Sequence, residues 1–600
     1  MDVELERDLN EALARLSALS ANQDGCQMKD PVVKMMLVAL LHEVGKIKDM
    51  VDGVGQRILD RYCEDFIPRK EVSAMPAVAV VSPVFRKGKD SETVSLSSGV
   101  SFSCKVTGSK TPVNFLPLFR NTLIPCEDVY VLTHNKMRGK DGVVDIEMEN
   151  PASMWVGIST KAEIESLDGV ALYIQNVVDV YPEHIFAVGG ERTELSFRTM
   201  DRLEDLEMLE PFDSQQVSNE SLAIMKYWKD YLQSLPDGVL VCLDDSRQDR
   251  DVFRKRAYPR VFQNWLESET LDRFKDNTIW LEISFPDGYS VSDDCQVALN
   301  AVPVVNIDVC GVTLTQAAPV AKLDKQEGTF FVKVLETSNK AYRQGFPMNS
   351  DDFIIRDFDA GCYHNGDLYR DIRNLYNHFV EDYYAFVEFN GLKDGQDIKR
   401  LKELVNRIGK SVGAQNSKYK FDSGTYVMKN INSGASASVT KISYLTTDGE
   451  RGNLLKVDGG HRLECRKIPV IEPDVPVLVS AMGGRDKAGA DERYELIRYY
   501  SLTNDRLFTK MDIDAFVRKE LVAVFGKEEF KRIRLKINVA GAPGLHSVQR
   551  GLYVDIEFKD KKNYDKALGE GLQIKLQRKI ESKSCISMPV MVRLYNCDMA

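Results

Sequence analysis

The ten residues 299–308, LNAVPVVNID, close a β-rich stretch with an apolar run interrupted by Pro303 and Asn306. A proline has no N–H to give to a sheet ladder, so Pro303 is expected at a sheet edge or a bend. Asn306 inside an apolar run needs partners for its amide once buried, because an unpaired interior polar group costs on the order of 1–3 kcal/mol. The pattern predicts a strand that ends in a kink. It suits a shaped joint better than an active site.

Around this joint the chain alternates helical and β territory, with no repeat and no low-complexity segment. Leu5, Leu9, Leu13 and Leu16 recur at helical spacing, as do Val33, Leu37, Leu40, Val44 and Ile47. From residue 77 to about 197 the text changes to short runs of Val, Ile, Phe and Tyr separated by Gly-containing turns, which predicts antiparallel sheet. Leu222, Met225, Trp228 and Leu232 mark a connecting helix, and strands are expected at 239–243, 278–285 and 330–335. Leu368, Ile372, Leu375, Phe379 and Phe386 then form one helical stripe, and Ile398, Leu401, Val405 and Ile408 a second. Joined by a turn at 391–395, the two read as a hairpin that packs on its own core or on a partner helix.

The predicted fold class is α+β and multidomain. It comprises N-terminal helices (1–75), a first β-rich domain (76–215), a connecting helix (216–237) and a second, also mainly antiparallel β domain (238–345). A helical hairpin with hinge (346–435) and a mixed α/β C-terminal domain (436–600) complete it. Thr509, three residues before Asp512 at the start of an apolar helix, is an acidic form of capping box.

Composition narrows the function classes. The 79 basic and 90 acidic side chains are well mixed and sum to a net charge of −11, so no large basic field exists for nucleic acid or anionic lipid. Eleven cysteines include no CxxC pair, and an odd number without a secretory signal predicts free thiols in the cytoplasm. The longest apolar run, 35–41, is far short of the roughly 20 residues that cross a bilayer, so no direct membrane insertion is expected.

Several phrases resemble one family. The run LNAVPVVNID is similar to a phrase of TssF (VasA/ImpG-like), the wedge subunit of the type VI secretion system baseplate. Residues 30–47 (DPVVKMMLVALLHEVGKI) resemble the first helix of that family, and 77–84 (AVAVVSPV) its first strand. Residues 98–102 (SGVSF) resemble an early turn and 549–558 (QRGLYVDIEF) a late strand. Residues 505–516 (DRLFTKMDIDAF) are similar to a segment of contractile phage tail baseplate wedge proteins. The usual aromatic opening of that first helix is missing, so what the resemblance implies is a divergent branch of the family, for example the Bacteroidetes form.

The resemblance implies a structural protein. Two copies would bind one TssG to make a wedge, and six wedges would surround the VgrG spike hub. TssK would link the ring to the membrane-anchored part, and TssE and the sheath would build on it at the cytoplasmic face of the inner membrane. No cofactor is implied. The residues expected to carry structure or interfaces are Pro303, Asn306, Arg550 and Gly551, with Leu368, Ile372, Leu375 and Phe379 as a subunit contact. Arg550 is equally readable as a surface ion pair worth under about 1 kcal/mol.

Two other classes compete. One is a stand-alone phage-tail-like binding or scaffold protein. The other is an HD-type metal-dependent phosphohydrolase, suggested by LLHEVGK at 40–46. That chemistry needs an upstream histidine and an aspartate where Glu43 stands, and no histidine precedes His42. His461 with Cys465 and Cys362 with His364 are two isolated pairs, whereas a zinc site needs four ligands, so chance proximity is the expected reading. Asp244, Asp245, Asp249 and Asp251 lack the spacing of a calcium loop and are expected to form a solvated turn facing Arg254, Lys255 and Arg256. The chain is therefore expected not to be an enzyme.

Overall fold

The computed structural model describes most of residues 67–596. Residues 1–66, 201–237, 342–352, 359–372, 384–395, 415–423 and 430–438, and shorter stretches elsewhere, lie outside the described residues. The expected N-terminal and connecting helices fall there. The chain is a strand-rich mixed α/β protein that divides into two compact units. One comprises residues 69–355 and 425–488, and the other residues 1–68, 356–424 and 489–600.

The first unit is built on three stacked sheets. Period-2 alternation explains the stacking, since successive side chains of a strand point to opposite faces. In the strand Val78–Val81, Val78 and Val80 enter one core while Ala79 and Val81 enter another. This strand lies in a seven-stranded sheet between Val302–Val305 and Val477–Met482, antiparallel to both. The next layer is a four-stranded sheet ordered Phe197–Thr199, Gly238–Leu243, Ala171–Gln175 and Gln296–Leu299. Its Ala171, Tyr173, Leu240 and Cys242 pack toward the first sheet, and its Leu172, Ile174, Val239 and Val241 toward the third.

The third layer is a seven-stranded antiparallel sheet with Thr278–Ser284 and Ser153–Ser159 at its centre. Its outer face is sealed by an aromatic group in which Trp280 meets Phe262 edge-on at 4.8 Å and Phe274 at 5.2 Å. Gly157 lies opposite Trp280. A Cβ there would stand 2.7 Å from the indole ring, so the position admits only glycine. Each fully buried Val, Leu, Ile or Phe contributes about 1.5–3 kcal/mol, so these four cores dominate the stability of the unit. Strands on both sides of residues 216–237 share sheets, since Gly238–Leu243 pairs with Ala171–Gln175 in register Val241 to Leu172.

Two further sheets follow in the same unit. Asp308–Leu314, Thr440–Thr447, Phe330–Thr337 and Lys340–Ala341 form one, and Val320–Lys322, Gly424–Lys429 and Phe353–Phe358 the other. They enclose a separate small core of Leu314, Leu323, Val334, Phe353, Val427, Ile442 and Tyr444.

In the second unit, helices Ala490–Thr503 and Lys510–Phe525 precede a long hairpin, Ile533–Pro543 with Val548–Phe558. Helices Lys561–Gly569 and Leu572–Lys583 then carry the chain to Val590–Asn596, which pairs parallel to Val548–Phe558. A parallel pair needs such a crossover. The capping box forms: Thr509 Oγ1 accepts from the Asp512 N–H at 3.2 Å, and Asp512 Oδ2 accepts from the Thr509 N–H at 2.8 Å. The helix Gln396–Ala414 also lies in this unit, with Val405 buried and Leu404 and Ile408 exposed. No helix among the described residues is long and apolar enough to cross a membrane.

Candidate functional site: a crossing of three sheets

The run 299–308 passes through three sheets in ten residues. Leu299 ends Gln296–Leu299 in the four-stranded sheet, Val302–Val305 lies in the first seven-stranded sheet, and Asp308 opens Asp308–Leu314 in the next. The first change of sheet is made at Asn300, whose φ of 58° is left-handed, a conformation that asparagine tolerates better than most residues. Its side chain holds the turn by accepting from the Ile124 N–H and donating to the Ile124 carbonyl, both at 2.9 Å.

Pro303 departs from expectation. It sits in an interior strand, opposite Val80 on one side, and not at an edge of the sheet. On the other side the ladder to Val113–Pro117 ends at Val304 with Pro117. Leu118 N–H donates to the Pro303 carbonyl at 2.9 Å, and the return bond is the one a proline cannot make. Its missing donor is accommodated at the end of a ladder rather than at the edge of a sheet. The bend lies three residues on, where Ile307 N–H donates to the Val305 carbonyl at 2.9 Å in a γ-turn centred on Asn306.

Asn306 is buried, and its amide is fully used. Nδ2 donates to the Asn114 carbonyl at 2.9 Å and to Asp448 Oδ2 at 3.1 Å. Oδ1 accepts from Thr447 Oγ1 and from the Asp448 N–H, each at 3.0 Å. Its own N–H donates to the Ala77 carbonyl at 2.7 Å. The surroundings leave no slack: a Cβ on Gly452 would stand 2.8 Å from both Asn306 Oδ1 and Ala77 Cβ, and one on Gly484 would stand 2.3 Å from the Gly449 carbonyl. Burial pushes the Asp448 carboxyl above its ordinary range, against the Asn306 hydrogen bond and Arg451, whose Nη1 lies 3.4 Å away; Asp308 adds to the rise.

The other expected residues lie apart from this crossing. Arg550 is exposed opposite Gly541, with no ion pair among the described residues, and Gly551 is buried opposite Ala540. Leu368, Ile372 and Leu375 lie outside the described residues. Phe379, in the helical stretch 376–383, is 51% exposed and stacks on Tyr383 at 6.2 Å. Asp244 pairs with Arg198 Nε at 2.6 Å on the neighbouring strand. Asp245 and Asp249 lie outside the described residues.

No chemistry gathers at the crossing. Among the described residues no three His, Cys, Asp or Glu side chains are placed to hold a metal ion. His42, Glu43, Cys362, His364 and His461 are outside them, and Cys465 is buried in a strand. Burial pushes the thiols of Cys126 and Cys295 up to about 12, which leaves both protonated at neutral pH. Asn114, Thr447, Asp448, Gly452 and Gly484 were not foreseeable as partners of Asn306. The only local signal is the Asp-Gly pair at 448–449, which marks a turn but not what it touches.

No family model matches the chain, and no curated protein matches it. Among solved structures it is similar to chains of two baseplate assemblies. One is a chain of the type VI secretion system TssK-TssF-TssG baseplate subcomplex, 11% identical with a TM-score of 0.39, over 94% of this chain and 96% of that one. Another is a chain of the anti-feeding prophage baseplate, 10% identical with a TM-score of 0.22, over 97% of this chain and 70% of that one.

Proposed function

We propose that this chain is a structural subunit of a contractile-injection baseplate, a wedge component of the TssF type that acts without a cofactor and catalyses no reaction. The observation that carries the reading is the run LNAVPVVNID. The phrase that resembles the family is also the phrase that crosses three sheets, with both ends of the Asn306 side-chain amide turned inward to hold backbone and side chains in place. A wedge subunit needs rigid joints between β modules, large interfaces with apolar centres, and alternative packings when the ring opens. On this reading two copies bind one TssG. The wedge then meets TssK, TssE with the sheath, and the VgrG hub at the cytoplasmic face of the inner membrane.

The test is co-expression with a TssG protein, followed by size-exclusion chromatography with light scattering. A stable complex with the mass of two copies and one TssG is expected. A lone species that ignores TssG would overturn the wedge reading and leave the scaffold reading in its place.

A further inference from the structure

The described strands between Asp308 and Ile355 and between Thr425 and Thr447 form an inserted module with its own core. The chain passes from the stack into this module at Asp308 and back to the stack at Thr447. These two crossings are neighbours, because Asp308 pairs with Thr446 in an antiparallel ladder that runs to Leu314 with Thr440. The module is thus tied to the three-layer stack through a neck two strands wide. Val332 and Leu445 add apolar area by sharing a core with Val305 and Ile307 of the stack.

Asn306 sits at that neck and touches every strand that meets there. Its backbone makes the γ-turn that leads into the entering strand, its Oδ1 takes hydrogen bonds from Thr447 at the end of the leaving strand and from Asp448 just after it, and its Nδ2 and N–H reach Asn114 and Ala77 in the stack. Thr447 Oγ1 also accepts from the Gly449 N–H at 3.2 Å, which closes the turn beyond the neck. Asn114 Nδ2 donates to Asp308 Oδ2 at 3.2 Å on the outer side.

We propose that Asn306 is the positioning residue of this neck: it clamps the entering and leaving strands to the stack and so fixes the direction in which the inserted module points. Without the clamp the neck becomes a hinge, with the module and the stack each still folded on its own core. The neck is a property of the fold and stands whether or not the chain belongs to a baseplate.

Hydrogen exchange read by mass spectrometry on the full chain separates a clamp from an ordinary core residue. In Asn306→Ala, the amides of Ile307, Asp448 and Gly449 are expected to exchange at least tenfold faster. Val427, Ile442 and Tyr444 in the module and Val156 and Leu281 in the stack are expected to keep their protection. Thr447→Val, which removes one donor and leaves no cavity, is expected to give the same local pattern with a smaller change, and serves if the alanine variant does not fold. Protection lost evenly through the module strands, or no change at the neck in Thr447→Val, would overturn the proposal.

Discussion

At the scale of single residues, the crossing is held by one amide whose hydrogen-bonding capacity is used up, and by glycines that let backbone approach it. Gly452 has ordinary backbone conformation, so what a substitution does there is a matter of space alone. Gly452→Ala puts a methyl 2.8 Å from Asn306 Oδ1 and from Ala77 Cβ, both part of the stack. The variant is expected to lose about 1–3 kcal/mol by overpacking, read as a lower melting temperature, whereas Gly489→Ala, with open space around it, should cost far less. Equal melting temperatures for the two would show that the crossing is not tightly packed. That Asn306 would need partners is legible in its apolar neighbours. That the partners are Thr447 and Asp448 is not, because more than a hundred residues separate them from it and no local pattern encodes so distant a pairing. Pro303 shows the converse. The rule that proline avoids interior ladders is correct, but a ladder can end inside a sheet, and sequence does not say where.

At the scale of elements, local rules were legible wherever the element's own residues decide it. Thr509 and Asp512 cap the helix Lys510–Phe525 as their spacing requires, and the apolar runs at 239–243 and 278–285 are strands. Which strands become neighbours was hidden, since Gly238–Leu243 finds Ala171–Gln175 rather than a partner from its own side of the connecting segment. Between helices Lys510–Phe525 and Leu572–Lys583, Glu520 lies 2.7 Å from Lys579 Nζ and 3.2 Å from Lys519 Nζ, the latter side chain only 6% exposed. Burial alone would raise the Glu520 carboxyl, but Lys579 and Lys519 outweigh it and hold it well below its ordinary 4.5. A carboxyl so depressed stabilises the fold above its unfolded value, and that contribution is lost as pH falls through and below about 4.5. Glu520→Gln is therefore expected to be less stable at pH 7, by roughly 3 kcal/mol, since the buried Lys519 loses a counter-charge, and to melt lower. The difference should narrow in melts at pH 4 and pH 3. Parallel curves for the two proteins across that range would contradict the assignment.

At the scale of the molecule, the sequence conveyed a mixed α/β chain rich in strands, but not that the two expected β regions interleave into one stack. The reason lies in how the stack is closed. The strand Val78–Val81 pairs with Val302–Val305 on one side and with Val477–Met482 on the other, so Val80 meets Pro303 and Val479 across very long loops of chain. Pairing at such separation requires loop-closure entropy to be overcome before any contact rewards it. Refolding from denaturant is accordingly expected to take seconds or longer and to lose yield as protein concentration rises. A complete return of signal within milliseconds, independent of concentration, would contradict this.

The same topology sets a timetable during synthesis. At roughly 5–20 residues per second, the ribosome needs on the order of 20–80 seconds to travel the roughly 400 residues from Val80 to its second neighbour. For that interval the run VAVV at 78–81, apolar on both faces, has at most one of its two flanking strands. The newborn chain therefore passes through a period in which a strand that ends up buried along its whole length is a sticky edge, and a cell making it in quantity would depend on chaperones to see it through.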